Sequence, residues 1–241
     1  MKSGLKHCRE VLDLIKPVSI PTTIRTLDDV RASLSELPCY TLLPDDFFVS
    51  MMECVSLHQG IQREGDWVQV GVWRGGGALF LRALMEDLGC KGRLHLFDTF
   101  DAVPVDQLRH CKDVAFVEGL SLKNNQKIAP ASPVQVKELF SKQKLSGRVE
   151  IYPGDISNMS RKLVPKSISF LHLDVDFYEP TYQALSLFYD NVVPGGTIII
   201  DDYYMDLLGC QDAVNDFMSV NGICRSVLGR FSSYSAKLTK P

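Results

Sequence analysis

The sequence has no long apolar run and no strong excess of charge of either sign. No stretch of the 241 residues approaches the roughly 20 consecutive apolar residues that a membrane-spanning helix requires. Charged residues interrupt the segment from Met1 to Pro17, so it lacks the apolar region of a signal peptide. The net charge of -3 gives no electrostatic reason to expect binding to nucleic acid or to an anionic membrane. We therefore expect a cytoplasmic protein that binds neither.

Cysteine is present but shows no pattern. The seven cysteines include no CxxC pair, which argues against a zinc ribbon or a thioredoxin-like redox site. An odd, scattered set in a chain of this length indicates reduced thiols in a cytosolic protein. We expect Cys54, Cys90 and Cys224 to lie in or near the core and to take no part in catalysis.

What the sequence does have is an alternation of short apolar runs and amphipathic segments from Trp67 onward. The predicted strands are WVQVGV, RLHLFD, VEIYPGD, SISFLHLDVD and TIIIDD, and the predicted helices are Ala78–Leu88, Val134–Lys144 and Thr181–Tyr189. Pro194-Gly195-Gly196 is interpreted as a turn before the last of these strands. This alternation predicts an α/β fold, a doubly wound and mainly parallel sheet with helices on both faces. In such a sheet, functional residues lie just beyond the carboxyl ends of the strands.

Four further expectations concern the segments around this core. Residues 1–60 are predicted to form a helical extension, and 61–241 the main domain. The helix predicted over Pro44–Gln59 carries apolar residues from Phe47 to Met52 that suit a subunit interface or a buried helix face equally well. The weakly periodic segment Asp101–Pro133 is interpreted as a long active-site loop. Phe217–Leu238 is expected to supply one or two antiparallel strands.

The first three strand ends carry residues suited to a nucleoside. Val70–Gly77 follows a strand and opens a helix, so its glycines and the helix N-terminus can approach a ligand closely. Its spacing is not GxGxxG, and the chain contains no Walker-type GK[ST]. Asp98 suits ribose hydroxyls, and Asp155 after Gly154 suits an adenine amine. Each feature alone is also typical of a tight turn or a helix cap, but together they indicate a nucleoside-bearing cofactor.

The next two strand ends carry four carboxylates. Asp174 and Asp176 are two residues apart and so project to the same side, and Asp201-Asp202 ends the following strand. Such a group repels itself unless a cation lies within it. Oxygen ligands favour Mg²⁺ first, with Mn²⁺ or Ca²⁺ also suitable. The alternative is two pairs of solvated or capping aspartates; His172 is expected to be a buried histidine with a satisfied partner.

A metal at this place would make a bound substrate hydroxyl more acidic. A neighbouring carboxylate could then take the proton, and the resulting alkoxide could attack an electrophilic carbon of the cofactor. Asp174, Asp201 and Asp202 suit the ligand role and Asp176 suits the base, although the assignment within the Asp174/Asp176 pair stays open.

Taken together, these motifs resemble a known family. GVWRGGG, FDTFxxxP, HLDVDFYEPT, PGG, and IIIDDYY followed by GCxxAVxxF are similar to the macrocin O-methyltransferase (TylF-type) family, over roughly Asp66 to Phe217. The resemblance implies a class I S-adenosylmethionine-dependent methyltransferase fold in the main domain and an N-terminal helical lid. It also implies S-adenosylmethionine and Mg²⁺ as cofactors, and methylation of a hydroxyl on a sugar or glycoside in natural-product biosynthesis.

By this resemblance Asp174, Asp201 and Asp202 match the metal ligands, and Asp176 with Asp174 the catalytic pair. The candidate cofactor contacts are Gln69, Gly71, Val72, Arg74, Gly75, Gly76, Asp98, Thr99, Gly154, Asp155 and Asp174. Three departures stand out: Gln69 replaces the usual acid, the segment from Asp155 to Ser160 lacks the usual aromatic residues, and residues 1–60 match poorly.

Three other functions are weighed against this one. A catechol-type O-methyltransferase shares the fold but places a lysine three residues after the first metal acid, where this chain has Phe177. A nicotinamide-dependent oxidoreductase lacks support because neither GxGxxG nor Tyr-x-x-x-Lys is present. A non-catalytic nucleoside-binding module would have little reason to keep all four aspartates, although fold alone does not establish activity. A homo-oligomer is compatible with the sequence.

Overall fold

The computed structural model describes residues 40–56, 64–101, 107–119 and 131–241. The helices within these ranges are α1 (Asp45–Ser56), α2 (Gly76–Leu88), α3 (Cys111–Gly119), α4 (Pro133–Lys142), α5 (Tyr178–Phe188) and α6 (Cys210–Val220). The strands are β1 (Asp66–Val70), β2 (Leu94–Asp98), β3 (Val149–Pro153), β4 (Ile168–Leu173), β5 (Val192–Ile200), β6 (Leu228–Arg230) and β7 (Ala236–Thr239). None of the helices in the described ranges is long and apolar enough to cross a membrane.

The seven strands form one sheet in the order β3-β2-β1-β4-β5-β7-β6. Strands β1 to β5 pair in parallel, whereas β7 runs antiparallel to both β5 and β6. The predicted doubly wound, mainly parallel sheet with antiparallel strands at its end is thus confirmed. The chain winds outward from β1 to β3 and then returns to β4 on the other side of β1. This reversal leaves a crevice at the carboxyl ends of β1 and β4, where open α/β sheets bind ligands.

Both faces of the sheet are covered. Trp67 and Phe170 point into one apolar layer with α1, α2 and α4, and their neighbours Val68 and Leu171 point into the other with α5 and α6. Burial on both faces explains why the central strands are almost continuously apolar. All these strands therefore hold their carboxyl ends rigidly at one edge.

Two predicted helices begin slightly earlier than the pattern suggested. Helix α2 begins at Gly76, after Gly75 at a left-handed φ of 88°, and ends before Gly89 at a φ of 68°. Helix α5 begins at Tyr178 and tolerates Pro180, since N–H groups of the first turn have no partner within a helix.

Two segments differ from the prediction. Pro194-Gly195-Gly196 is not a turn before β5 but lies inside it. The pairs Ile168↔Val192 and Phe170↔Thr197 show that β5 carries extra residues there. The segment Asp101–Pro133 is not loop throughout, because α3 occupies Cys111–Gly119; residues 102–106 and 120–130 lie outside the described residues.

Helix α1 confirms the predicted helix as far as Ser56. Phe47, Phe48 and Met51 are buried, so its apolar face belongs to the core, while Val49 is exposed. Residues 1–39 and 57–63 lie outside the described residues, so the N-terminal lid stays a prediction.

The described cysteines form no disulfide with one another and lie in different environments. Cys90 and Cys210 are buried and Cys54 is half-buried, as a core or near-core position requires. Cys224 is exposed, so the prediction that it fills the core is wrong. It precedes a short 3-10 turn, Arg225–Val227, on the way to the edge strand β6.

Candidate active site

A cavity of about 390 Å³ lies at the carboxyl ends of the central strands. Residues from the tips of β1 to β5 line it, and so do the segment before α1 and the region around α3. Its volume suits a small molecule or cofactor. The candidate residues from all five strand ends therefore meet at one place.

The glycine-rich loop after β1 is shaped by protein contacts. Gly71 has a φ of 86°, and a Cβ there would lie 1.7 Å from the carbonyl oxygen of Asp174. A Cβ at Gly76 would lie 2.6 Å from the carbonyl oxygen of Tyr40, and one at Gly77 would lie 2.8 Å from Cδ1 of Leu43. The sequence predicts that these glycines let the backbone approach a ligand closely. Among the described residues, the atoms that crowd them belong to the residue just after β4 and to the segment before α1.

The remaining loop candidates divide into two groups. Val72, Thr99 and Gly154 line the cavity. Arg74 and Gly75 are absent from the part of the lining that the structure describes, and the Arg74 guanidinium lies 4.8 Å from the centre of the Trp73 ring.

Asp98, at the end of β2, holds the loop through its backbone. Its Oδ2 accepts hydrogen bonds from the N–H groups of Val72 at 2.6 Å and Trp73 at 2.8 Å. Its Oδ1 accepts one from the N–H of Phe100 at 2.6 Å. A carboxylate has about four acceptor positions, so these bonds leave room for about one further donor.

Asp155, after β3, is also partly used by the chain. Its Oδ1 accepts a hydrogen bond from the N–H of Ser157 at 2.8 Å and caps the short 3-10 helix Ile156–Asn158. Asp155 and Gly154 line the cavity. The capping role and a ligand role are compatible because the cap uses one oxygen only.

Gln69 and His172 are buried neighbours on β1 and β4, paired in register. Nε2 of Gln69 donates to the carbonyl oxygen of Gly71 at 2.8 Å, and its buried Oε1 has no partner among the described residues. His172 is buried as predicted, but neither of its ring nitrogens has a hydrogen-bond partner in the part of the chain that the structure describes, so the predicted partner is not found there. Burial lowers the pKa of His172 to about 3, and its ring instead packs 5.0 Å from the ring of Phe47.

Three carboxylates converge at the tips of β4 and β5. One oxygen from each of Asp174, Asp176 and Asp202 lies within 4.8 Å of the others, and only Asp176 of the three is exposed. Asp176 and Asp202 have left-handed backbone angles, with φ of 61° and 55°. Asp and Asn tolerate this conformation better than most residues, and such strain is common at functional sites.

The pKa values of this group reflect crowding. Burial, followed by the charges of neighbouring carboxylates, raises the pKa values of Asp174 and Asp202 well above the ordinary value. Burial also raises the pKa of Asp201 to about 6. A cation would relieve the repulsion and return these groups to their ionised forms.

Asp201 adjoins this group but is not one of the three carboxylates that converge. Its Oδ1 accepts a short hydrogen bond from the Ser235 hydroxyl, and its carbonyl oxygen accepts one from Sγ of Cys210 at 3.2 Å. The structure thus brings Asp176 together with two of the three predicted metal ligands and places Asp201 beside them.

Sequence reasoning missed the residues that attach α3 to the site. Asp113 is fully buried, and its two oxygens accept hydrogen bonds from the N–H groups of Tyr178 at 2.7 Å and Gly209 at 2.6 Å. In the opposite direction, Oε1 of Glu179 accepts from the N–H groups of Arg109 at 2.8 Å and His110 at 3.0 Å. Glu179 stands in the quoted HLDVDFYEPT motif, but nothing in the pattern around Asp113 marks it.

The side of the cavity next to α3 is apolar, and the charged residues in the described lining of the whole cavity are all acidic. The apolar lining there is Leu108, Phe116, Phe177, Met205 and Leu208. The carboxylates in the described lining are Asp98, Asp101, Asp155, Asp174, Asp176, Glu179, Asp201 and Asp202. Within that described lining there is no lysine, arginine or histidine.

Comparison with known proteins shows the family to which the chain belongs. The model of the family described as macrocin-O-methyltransferase (TylF) matches residues 29–229. A 4′-O-methyltransferase of a rhamnosyl-tetracenomycin C from Streptomyces olivaceus is 32% identical over 66% of this chain, and the match spans 60% of that enzyme. Mycinamicin III 3″-O-methyltransferase from Micromonospora griseorubida is 26% identical over 84% of this chain and 80% of its own length.

Solved structures show the same fold. The O-methyltransferase NovP superposes with a TM-score of 0.75 at 23% identity, over 97% of this chain and 99% of that one. A methyltransferase from Podospora anserina, solved with S-adenosylhomocysteine bound, gives a TM-score of 0.55 at 11% identity, over 98% of this chain and 88% of that one. The predicted class I methyltransferase fold is therefore confirmed.

Proposed function

The chain belongs to the macrocin O-methyltransferase (TylF) family, and from this premise we propose that it transfers a methyl group from S-adenosylmethionine to a sugar hydroxyl with the help of Mg²⁺. One observation carries the proposal: the Asp174, Asp176 and Asp202 carboxylates converge in the same cavity as the glycine-rich loop after β1. A methyl donor and a metal-dependent acceptor site require this proximity.

The carboxylates fit a hard divalent cation. All donor atoms of the group are oxygens, the ligand type that Mg²⁺ prefers and that also suits Mn²⁺ and Ca²⁺. We assign Asp174 and Asp202 as direct ligands, with Asp201 adding negative charge beside them. When bound, the ion would lower the pKa of an acceptor hydroxyl.

Asp176 is suited to take the hydroxyl proton. It is the exposed member of the group, and one of its oxygens lies within 4.8 Å of ligand oxygens on Asp174 and Asp202. A base must lie within reach of the proton that it removes.

The loop half of the cavity fits the methyl donor. Asp98 and Asp155 each retain acceptor capacity after their bonds to the backbone, which suits ribose hydroxyls and an adenine amine. Gln69 takes the place of the usual acid and fixes the loop through the Gly71 carbonyl. S-adenosylmethionine supplies the methyl group, so these side chains need only bind and orient the donor.

The charge of the cavity favours an acceptor without phosphate groups. The described lining combines eight carboxylates with no basic side chain, so a nucleotide diphosphate would meet like charge there, and the metal ion would be its one cationic partner within the described lining. The apolar side next to α3 instead suits the aglycone of a neutral glycoside. The relatives from Streptomyces olivaceus and Micromonospora griseorubida, whose names specify sugar positions on larger molecules, agree with this choice.

Methyl transfer from isotope-labelled S-adenosylmethionine to three acceptor sets tests the proposal: neutral macrolide and aromatic glycosides, nucleotide sugars, and catechols. We expect product only with the glycosides, loss of product in EDTA, and recovery with Mg²⁺. Product that persists in EDTA would refute the metal role. Methylation of nucleotide sugars or catechols in preference to glycosides would refute the acceptor class, and absence of S-adenosylhomocysteine binding by calorimetry would refute the function as a whole.

A further inference from the structure

The turn between β6 and β7 carries a chain of hydroxyl groups that ends at Asp201. The N–H of Ser235 donates to Oγ of Ser232 at 3.1 Å, and that hydroxyl donates to Oγ of Ser235 at 2.8 Å. Ser235 Oγ in turn donates to Oδ1 of Asp201. An ionised carboxylate can only accept, so the donors in this chain all point toward Asp201.

Both hydroxyl groups of the chain are buried. Ser235 is 0% exposed and Ser232 is 6% exposed. Buried hydroxyls without a specific partner are unfavourable, and each of these has a partner on both sides. Their arrangement is therefore determined by the fold and not by solvent.

Other elements fix the turn itself. The N–H of Ser233 donates to Oδ2 of Asp46 in the first turn of α1 at 2.7 Å. The N–H of Tyr204, just beyond Asp202, donates to the carbonyl oxygen of Tyr234 at 2.9 Å. The Arg230 guanidinium lies 3.7 Å from the centre of the Tyr204 ring. Helix α1, the segment after β5 and the β6–β7 hairpin thus meet at the serine turn.

We propose that Ser235 is a positioning residue for the metal site, holding the Asp201 carboxylate beside Asp174 and Asp202 through the Ser232–Ser235–Asp201 hydrogen bonds. This inference rests on the proposed metal-dependent function. Without the Ser235 hydroxyl, an oxygen of Asp201 would be buried without its donor, which is unfavourable enough to turn the side chain away. Loss of a hydrogen-bond partner of a metal ligand typically weakens metal binding about 10–100-fold. Because Asp201 stands beside the assigned ligands, an effect at the lower end of this range is expected.

The test is Mn²⁺ affinity, measured from the signal of free Mn²⁺ in electron paramagnetic resonance, on the full chain. We expect Ser235→Ala to bind Mn²⁺ about 10-fold more weakly than the unmodified protein, and Ser232→Ala to show a smaller loss because Ser235 can still donate. Ser233→Ala is the matched control: it removes a hydroxyl from the same turn but keeps the backbone bond to Asp46, so its affinity should be unchanged.

A second measurement separates positioning from loss of structure. S-adenosylhomocysteine affinity should stay the same in all three variants, because Ser235 lies outside the described lining of the cavity. Equal Mn²⁺ affinity in Ser235→Ala and the unmodified protein would refute the role of Ser235 and leave the proposed metal site standing. If the unmodified protein bound no Mn²⁺, the proposed metal site would fail and this inference with it. Should Ser235→Ala not fold, Ser235→Cys decides, because a thiol of nearly the same size is only a weak donor, and unchanged Mn²⁺ affinity there would overturn the inference.

Discussion

The aspartates at the tips of β2 and β3 are surrounded by backbone N–H groups, whereas those at the tips of β4 and β5 face one another. Asp98 accepts three hydrogen bonds from its own chain, and Asp155 caps a short helix. Asp174 and Asp202 have raised pKa values because they are buried among other carboxylates. Aspartate side chains are therefore stabilised by backbone hydrogen bonds in one half of the cavity, whereas in the other half a cation would be required to stabilise their ionised forms.

This difference separates two ways of preparing a binding site. The cofactor half is preorganised, since its carboxylates hold the loop in place before any ligand arrives. The carboxylate half keeps its charges close together although they repel. Because a bound cation would relieve this repulsion, the relief would contribute favourably to the free energy of cation binding. Substitutions in the two halves should consequently have opposite effects on the ligand-free protein.

The largest effect is expected from Asp202→Asn. Asparagine is nearly the same size and tolerates the left-handed φ of 55°, so the fold should survive. We expect metal affinity and kcat to fall about 100-fold or more, beyond the 10–100-fold typical of residues next to metal ligands. Calorimetry with Mg²⁺ and single-turnover methyl transfer measure the two.

The control for this variant is its stability in EDTA. Because the substitution removes a buried charge from a repelling group, Tm of the metal-free variant at pH 8 should equal or exceed that of the unmodified protein. A lower Tm, or undiminished turnover, would contradict the ligand role.

A smaller effect is expected from Asp98→Ala in the cofactor half. Hydrogen bonds to an ionised group contribute about 1.5–3 kcal/mol, so the affinity for S-adenosylhomocysteine should fall about 10–150-fold. Amide exchange at Val72 and Trp73 should also quicken, since their N–H groups lose their acceptor. Unchanged exchange with weakened cofactor binding would show that Asp98 contacts the ligand without ordering the loop, and Mg²⁺ affinity should not change.

Gln69→Glu restores the acid that is usual in the family and should nevertheless be unfavourable. An ionised glutamate cannot donate to the carbonyl oxygen of Gly71, as Gln69 Nε2 does, and its charge would be buried. The expected loss is about 1–3 kcal/mol in the free energy of unfolding, measured by urea denaturation, with weaker cofactor binding. An equally stable variant would show that the Gln69–Gly71 bond contributes nothing.

The smallest effect is a pH dependence of the metal-free protein. A carboxyl group whose pKa is higher in the folded than in the unfolded state stabilises the fold below its unfolded pKa and loses this contribution as pH rises through the folded pKa. For Asp201 this window runs from about 3.8 to about 6. The folded pKa values of Asp174 and Asp202 are raised as well, so these two groups also lose their contribution to stability as pH rises. In EDTA, Tm of the protein relative to that of Asp201→Asn should thus fall by several degrees between pH 4 and pH 7, and Mg²⁺ should remove most of this change.

His172 acts in the opposite direction at lower pH. Its pKa of about 3 in the fold lies below its ordinary value of 6.5, so the fold loses stability as pH falls from 6.5 toward 3. The comparison with Asp201→Asn cancels the contribution of His172, which both proteins share. A difference in Tm between the two proteins that does not change with pH in EDTA would argue against repulsion among the carboxylates.

The alternation of apolar runs predicted the strands and their parallel order, because each central strand is buried on both faces and reads as a continuous apolar segment. It also predicted that Asp98, Asp155, Asp174 and Asp202 would meet, since parallel strands end at a common edge. Local patterns were less informative for Pro194-Gly195-Gly196, where neighbouring strand contacts override a strong turn signal. Local patterns also failed to predict α3, because its position depends on hydrogen bonds that Asp113 accepts from residues far away in the sequence.

Sequence alone therefore determined the fold class, the family and the strand ends that hold the candidate carboxylates, because burial periodicity and motif spacing are local properties of the chain. Only the tertiary structure decided which oxygens of Asp98 and Asp201 are already bonded, which carboxylates converge, and that the distant serine turn reaches Asp201. Those outcomes depend on side-chain contacts between residues far apart in the chain, which no local pattern encodes.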